Sequence, residues 1–175
     1  MKKSFLKSTF HVSSFKFHDK RGQTIVEAII ALGALVISFS GIFALLSTSL
    51  HNHKIVTNNS LATYLAAEGI EVVKNILDRN AIAGSPWSTG FSSGDYEVDY
   101  ASDAMVPYAD RNLFFNAGTN LYSYGGAGDA TAFKRRIRIT FFGAEEMEVN
   151  SIVSWTTGQS QSSVNLEDHF LDWRP

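Results

Sequence analysis

The chain of 175 residues is long enough for one domain with or without an extension, and because it has no cysteine it has neither disulfide bonds nor thiolate zinc sites. Its net charge of −2 is unevenly distributed, since residues 1–22 hold six basic residues against one acidic residue, or +5, and residues 23–175 hold nine against sixteen, or −7. The acidic main part argues against nucleic acid or anionic lipid as its general partner, because phosphate binding requires clustered Lys and Arg.

An uncharged apolar segment follows the basic N-terminal stretch. Residues 28–50 contain no Asp, Glu, Lys or Arg, and these 23 residues are enough for a helix to cross a hydrocarbon core that needs about 20. Positive charge beside a span keeps that side cytoplasmic. We therefore expect a protein that is inserted in the membrane at some stage, with residues 1–22 inside and the acidic part exported.

A single carboxylate, Glu27, lies at the start of this segment, four residues after Gln23. A carboxylate within a span costs roughly 2.5–3.5 kcal/mol at the bilayer centre and less toward the interface, so it usually marks function and needs a partner. Residues four apart lie on one face of a helix. If the peptide bond after Gly22 is cut, Gln23 gains a cationic amine that can neutralise Glu27 in the same subunit or in a neighbour. The alternative is a carboxylate at the start of a helix with no role in assembly.

The order of these residues resembles the cleavage and methylation signal of type IV prepilins and the related pseudopilins. The resemblance is carried by Gly22, the following QTIVE (residues 23–27) and the uninterrupted apolar run. It implies that a prepilin peptidase cuts between Gly22 and Gln23 and methylates the new amino terminus at Gln23, so that Glu27 becomes the fifth mature residue. Residues 64–76, YLAAEGIEVVKNI, also resemble the lower helix of minor pilins.

Two other interpretations of the N-terminal region stay open. A secretory signal peptide would have an apolar region of about 7–15 residues and a small-x-small cleavage site; the run here is longer, and residues 45–51 match such a site poorly. That interpretation would make the protein a secreted hydrolase or binding protein. An uncleaved signal anchor would instead make it a membrane-anchored sensor or adhesion module.

Helical periodicity continues beyond the apolar segment. Leu61, Leu65, Val72 and Ile76 recur at helical spacing. This pattern predicts one helix from residue 23 to about residue 80, with an amphipathic second half and a weakly helical stretch at residues 57–60.

Alternating residues after a loop at 83–94 predict β-strands. The predicted strands are residues 96–100, 120–124, 133–142, 147–157 and 164–166, with Phe170, Leu171 and Trp173 folding back onto the core. The short connection at residues 143–146 predicts an antiparallel hairpin, and the phase of the strand after it places Trp155 in the core. We expect an α+β fold in which a single antiparallel sheet packs against the amphipathic half of the helix, and the pilin resemblance implies the same architecture.

No spacing of residues indicates a catalytic centre or a cofactor. The HNH letters at 51–53 lie at the membrane exit without a carboxylate cluster, and GGAG at 125–128 lacks the Lys-Ser or Lys-Thr of a phosphate-binding loop. The spacing of Asp95, Asp99 and Asp103 does not match the twelve-residue calcium loop, so we interpret them as solvated loop acids. The basic residues within KRRIR (134–138) indicate the solvated face of a strand or, alternatively, a surface that docks an acidic face of a neighbouring subunit.

These patterns together predict a non-enzymatic structural subunit without a cofactor. We expect a cytoplasmic leader (1–22), a transmembrane and assembly helix (23–54) and an exported pilin-like globular domain (55–175). The resemblance implies a minor pilin that begins as a single-pass precursor in the inner membrane and ends in a pilus or pseudopilus at the cell surface. Its implied partners are the prepilin peptidase, other pilin subunits and the assembly platform in the inner membrane, and we expect no nucleic acid.

Overall fold

The computed structural model describes residues 23–126 and 128–172. Its first element is the helix α1, which spans Gln23–Ile82 and confirms the predicted long helix. The predicted weak stretch at 57–60 is helical throughout. The chain divides into two compact units between His51 and Asn52.

α1 ends in a motif that glycine makes possible. Gly84 adopts a φ of 70°, a left-handed conformation that costs glycine little. The amide of Ser85 donates to the carbonyl of Asn80 at 3.0 Å, and the amide of Gly84 donates to the carbonyl of Ala81 at 3.2 Å. This pair of hydrogen bonds is a Schellman motif, which satisfies carbonyls of the last helical turn.

Antiparallel strands follow α1 and confirm the α+β class. In the described part of the chain they are β1 (Gly94–Glu97), β2 (Val106–Pro107), β3 (Phe114–Asn116), β4 (Leu121–Ser123), β5 (Asp129–Ala130), β6 (Lys134–Phe142), β7 (Glu146–Thr157) and β8 (Ser160–Leu171). The expectation of a single sheet is wrong. A five-stranded sheet has the order β2-β1-β6-β7-β8, and the short strands β4, β3 and β5 form a separate sheet.

Two consecutive hairpins form three of the five strands of the larger sheet. β6 and β7 pair from Lys134↔Ser154 to Phe142↔Glu146, which confirms the predicted hairpin. β7 and β8 then pair over twelve positions. β8 is far longer than the predicted residues 164–166. The prediction fell short because most side chains of this strand are exposed and show no apolar alternation. At its end, Phe170 packs against the core as expected, whereas Leu171 is 59% exposed and Trp173 lies outside the described residues.

The core lies between the second half of α1 and the larger sheet. Leu65, Val72 and Ile76 are buried as the helical spacing predicts. The sheet contributes the inward side chains of β6 and β7, which are Ile137, Ile139, Met147, Val149, Val153 and Trp155. Trp155 is 5% exposed and tilts against Phe133 with a centroid distance of 5.7 Å, so its predicted phase is confirmed.

Helix and sheet approach closely at Gly69. A Cβ atom added there would lie 2.5 Å from Ser151 Oγ and 2.8 Å from Ile137 Cδ1. Both distances are too short for a real methyl group, so a side chain at this position would force either these buried side chains or α1 to shift. Glycine is therefore what lets the helix backbone rest against β6 and β7.

The basic residues of β6 are divided between the two faces of the sheet. The side chains of Arg136 and Arg138 are 34% and 47% exposed, whereas Arg135 has no exposed surface. The interpretation of this segment as one solvated face is therefore wrong for Arg135. Strand alternation places it in phase with Phe133 and Ile137, and it reaches hydrogen-bond acceptors inside the core.

Candidate functional site

The processing and assembly residues predicted from the sequence lie at the N-terminal end of α1. Gln23 is its first described residue, and Glu27 follows one turn later; both are exposed. Gly22 lies outside the described residues. Gln23 and Glu27 therefore belong to one helix, and their four-residue spacing places them on the same helical face, as predicted.

The surface of α1 that follows Glu27 is apolar and uncovered. The large apolar side chains from Ile25 to Val56 are each 43–75% exposed. The hydroxyl of Ser38 donates to the carbonyl of Ala34 at 2.8 Å, and Ser40 and Thr48 make the same four-residue contact. Such internal pairing is what a hydrocarbon environment requires of polar groups. α1 is long and apolar enough to cross a membrane, in accord with a single-pass membrane protein.

The three loop acids considered as calcium ligands do not converge. Arg138 Nε lies 2.8 Å from Asp95 Oδ1, and this hydrogen bond, with the charges of Arg138 and Arg136, lowers the pKa of Asp95. Asp99 accepts hydrogen bonds from the hydroxyl of Ser102 and from a neighbouring backbone amide. Asp103 forms an exposed ion pair with an arginine of α1. Each carboxylate therefore has its own separate partner.

A polar groove of about 460 Å³ lies beside the outward face of β6, β7 and β8. Two cations line it, and each faces a carboxylate: Lys134 Nζ is 2.6 Å from Asp110 Oδ2, and Arg136 Nη1 is 3.7 Å from an oxygen of Asp95. Burial and the hydrogen bond to Asp110 raise the pKa of Tyr108 to about 12. The groove is a solvated strand face, as predicted for the outward basic residues of β6.

A cluster that sequence reasoning missed lies farther along the same face, across β7 and β8. Glu148, Glu167 and His169 each place one ligand atom within 4.8 Å of the other two. His169 Nδ1 lies 2.8 Å from Glu146 Oε1, and Nε2 lies 3.4 Å from Glu167 Oε1. The hydrogen bond to Glu146, followed by that to Glu167 and by the charges of Glu146 and Glu148, raises the pKa of His169. Glu148 is distant in sequence from the other two members, so only the strand register brings it to them.

Comparisons of the chain with protein-family models, with curated proteins and with solved structures found no match. A long apolar N-terminal helix followed by antiparallel sheets is compatible with a pilin-like shape.

Proposed function

We propose that the protein is a structural subunit, and specifically a minor component, of a type IV pilus or a related secretion pseudopilus. In this proposal a prepilin peptidase processes it after Gly22, and α1 assembles it into the fibre. The observation that carries the proposal is the position of Glu27. It is an exposed carboxylate one turn after the proposed new terminus, at the head of a helical segment without other charges whose apolar side chains are uncovered.

Assembly gives this segment the partners that it lacks in a single chain. In the membrane its apolar side chains contact lipid, and in a fibre the equivalent helices of sister subunits cover them. A carboxylate in such a packed setting is costly unless a positive group neutralises it. Cleavage creates that group, because it converts the amide nitrogen of Gln23 into a cationic amine. The amine and Glu27 then pair within one subunit or between neighbours, which favours assembly of processed chains over unprocessed ones.

The charge distribution supports a single orientation for the precursor. The +5 charge of residues 1–22 stays on the cytoplasmic side of the inner membrane, and the acidic part is exported. The leader then lies on the side where the peptidase and the assembly platform would meet it. The alternative function is an uncleaved, membrane-anchored adhesion module, for which the observation in favour is the same apolar span.

The test is the variant Glu27→Val, expressed with a matching prepilin peptidase and assembly machine. We expect intact mass to show loss of residues 1–22 from both wild type and variant, because recognition depends on the leader and Gly22. The variant should insert in the membrane at least as well as wild type, since a charge has been removed from lipid. It should be strongly depleted from sheared fibres, whereas Glu27→Asp, which keeps the charge with a shorter reach, should be partly incorporated.

Ser38→Ala is the matched control, because it removes a polar atom from the same segment without changing the charge. Its incorporation should equal that of wild type. Wild-type levels of Glu27→Val in fibres would reduce Glu27 to a helix-start carboxylate. A mature chain that keeps its leader would identify an anchored module, and one that loses the entire apolar segment would identify a secreted protein.

A further inference from the structure

We propose that Glu148, Glu167 and His169 bind a zinc ion on the outward face of the five-stranded sheet, and that the ion clips the edge strand β8 to β7. This site is independent of the proposed assembly role, because its residues lie in the second compact unit and not in the apolar segment.

Strand register brings the three side chains together. Glu148 of β7 is directly opposite His169 of β8, and Asn150 is opposite Glu167. Side chains two apart on a strand point to the same face, so Glu167 and His169 lie side by side and Glu148 faces them across the strand pair. Each strand therefore contributes to the site, and neither strand alone contains it.

The distance between two of the ligand atoms already matches what a small tetrahedral ion requires. His169 Nε2 and Glu167 Oε1 are 3.4 Å apart, which is close to the roughly 3.3–3.6 Å between two ligands of a tetrahedral zinc ion. The third ligand atom lies within 4.8 Å of both. Asn150 Nδ2 donates to Glu148 Oε1 at 2.5 Å, which leaves the other carboxylate oxygen for the ion. The proposal requires a side-chain rotation of Glu148 that closes the site, with water in the fourth position.

Glu146 holds the imidazole in the orientation that metal binding needs. Its Oε1 lies 2.8 Å from His169 Nδ1, and a carboxylate that accepts a hydrogen bond from Nδ1–H keeps the proton there and leaves the Nε2 lone pair free for an ion. Zinc-bound histidines usually donate their other ring N–H to such a carboxylate. Glu146 is thus a supporting residue and not one of the three ligands. An imidazole nitrogen among the ligands favours zinc over calcium or magnesium, which prefer oxygen.

The local charge also favours a cation. Within residues 23–126 and 128–172, the ion pairs of Glu146 and Glu167 are with His169 alone. On the other side of β7, the residues opposite Glu146 and Glu148 are Phe142 and Thr140, neither of which is charged. One histidine therefore faces three carboxylates, and a divalent ion neutralises them better than a proton on the imidazole does.

A cross-strand ion would stabilise the long edge strand of the larger sheet. β8 is twelve residues long, lies at the sheet edge and keeps most of its side chains exposed. Without cysteine the chain has no disulfide to fasten this strand. An ion held by one β7 ligand and two β8 ligands joins the strands through side chains, in addition to the backbone ladder.

The test is calorimetric titration of zinc chloride into the full-length protein in detergent micelles, after metal is stripped with EDTA and the chelator removed. His169→Ala should lose one equivalent of bound zinc, and Glu148→Gln and Glu167→Gln should each weaken that binding by at least tenfold. Asp168→Asn is the matched control, because it removes an adjacent β8 carboxylate on the opposite face. The double variant His51→Gln, His53→Gln should also retain the equivalent that depends on His169.

Thermal unfolding gives a second readout. His169 is exposed, so its substitution should not itself disturb the fold, and a change in the response of the Tm to zinc reports on the ion. With zinc at about ten times its Kd, the Tm of wild type and of Asp168→Asn should rise by about 3 °C or more, and the Tm of His169→Ala should not move. The proposal is overturned if His169→Ala binds as many zinc ions as wild type, or if the three ligand variants bind zinc as tightly as Asp168→Asn. Uptake of calcium but not zinc by the stripped wild-type protein would equally overturn it.

Discussion

Arg135 is a fully buried cation that joins three parts of the folded unit. Its Nη1 donates to the carbonyl of Leu65 in α1 at 2.8 Å, and its Nη2 donates to the carbonyl of Val98 at 2.5 Å. Glu68 Oε2 lies 3.4 Å from Nη1 and balances the charge. Removing a charge from water costs several kcal/mol, so the side chain persists in the core only because these acceptors surround it. It therefore links β6 to α1 and to the segment after β1.

Truncation of Arg135 should be far more damaging than truncation of its neighbour Arg138. We expect Arg135→Ala to lower the free energy of unfolding by about 3–5 kcal/mol, because it leaves a cavity and removes the donors that satisfy buried oxygens. Arg138→Ala, on the opposite face of the same strand, should cost less than about 1 kcal/mol. Urea unfolding in detergent micelles, followed by tryptophan fluorescence, measures both. Equal losses would place Arg135 on the solvated face.

At the scale of elements, β1 is attached to β6 over only three paired positions, and a surface ion pair reinforces them. Asp95 is opposite Arg138 in this register, and the hydrogen bond from Arg138 is the main cause of its lowered pKa. A carboxyl pKa that is lower in the folded state stabilises the fold above the unfolded value of about 3.9. That stabilisation disappears as the pH falls through the lowered pKa.

Asp95→Asn should therefore reduce stability in a pH-dependent way. Because the Asp95 side chain is one third exposed, we expect a loss of about 1 kcal/mol or less between pH 5 and pH 8, and a loss that shrinks below pH 4. Urea unfolding across this pH range measures the difference from wild type. Asp103→Asn, which breaks a pair whose acid is 88% exposed, should show little loss at any pH. A pH-independent difference for Asp95→Asn would show that the carboxylate charge contributes nothing.

The sequence predicts those strands whose side chains alternate between the core and the solvent. β6 and β7 do so, and residues such as Ile137, Val149 and Trp155 identify both strands and their inward phase. β8 does not, because it is a sheet edge with few buried side chains and its pairing comes from the backbone ladder. β4 lies within the predicted strand at residues 120–124, but its partners β3 and β5 were missed, since they have only three and two residues and are too short for a period to appear.

The two candidate sites also differ in whether a local sequence pattern reveals them. Gln23 and Glu27 could be found from the sequence, because helical spacing is local and four residues define one face. Glu148 and His169 are 21 residues apart, and they meet only because the hairpin register places one opposite the other. A shift of the register by one residue would send one of them to the opposite face. No local pattern therefore contains the cluster.

At the scale of the whole molecule, α1 carries two groups of apolar side chains that differ in exposure. Those from Ile25 to Val56 are exposed, and those from Ala62 to Leu77 that point to the sheet are buried. The hydrogen bond from Asn58 Nδ2 to Thr157 Oγ1, at 3.3 Å, is the first side-chain hydrogen bond from α1 to β7 among the described residues. The core of the second unit is therefore complete without the apolar segment.

A shortened chain of residues 58–175 should accordingly be soluble, folded and monomeric without detergent. It lacks the exposed apolar surface of residues 25–56 but keeps the buried half of α1 together with both sheets. Size-exclusion chromatography and cooperative urea unfolding measure the outcome, and far-UV circular dichroism should show both helix and strand. Val73→Asp in the same shortened chain is the matched control, because a carboxylate at this fully buried position cannot be satisfied and should abolish cooperative unfolding. If residues 58–175 aggregate or unfold without cooperativity while the full chain in micelles does not, the second half of α1 depends on the apolar segment for its stability.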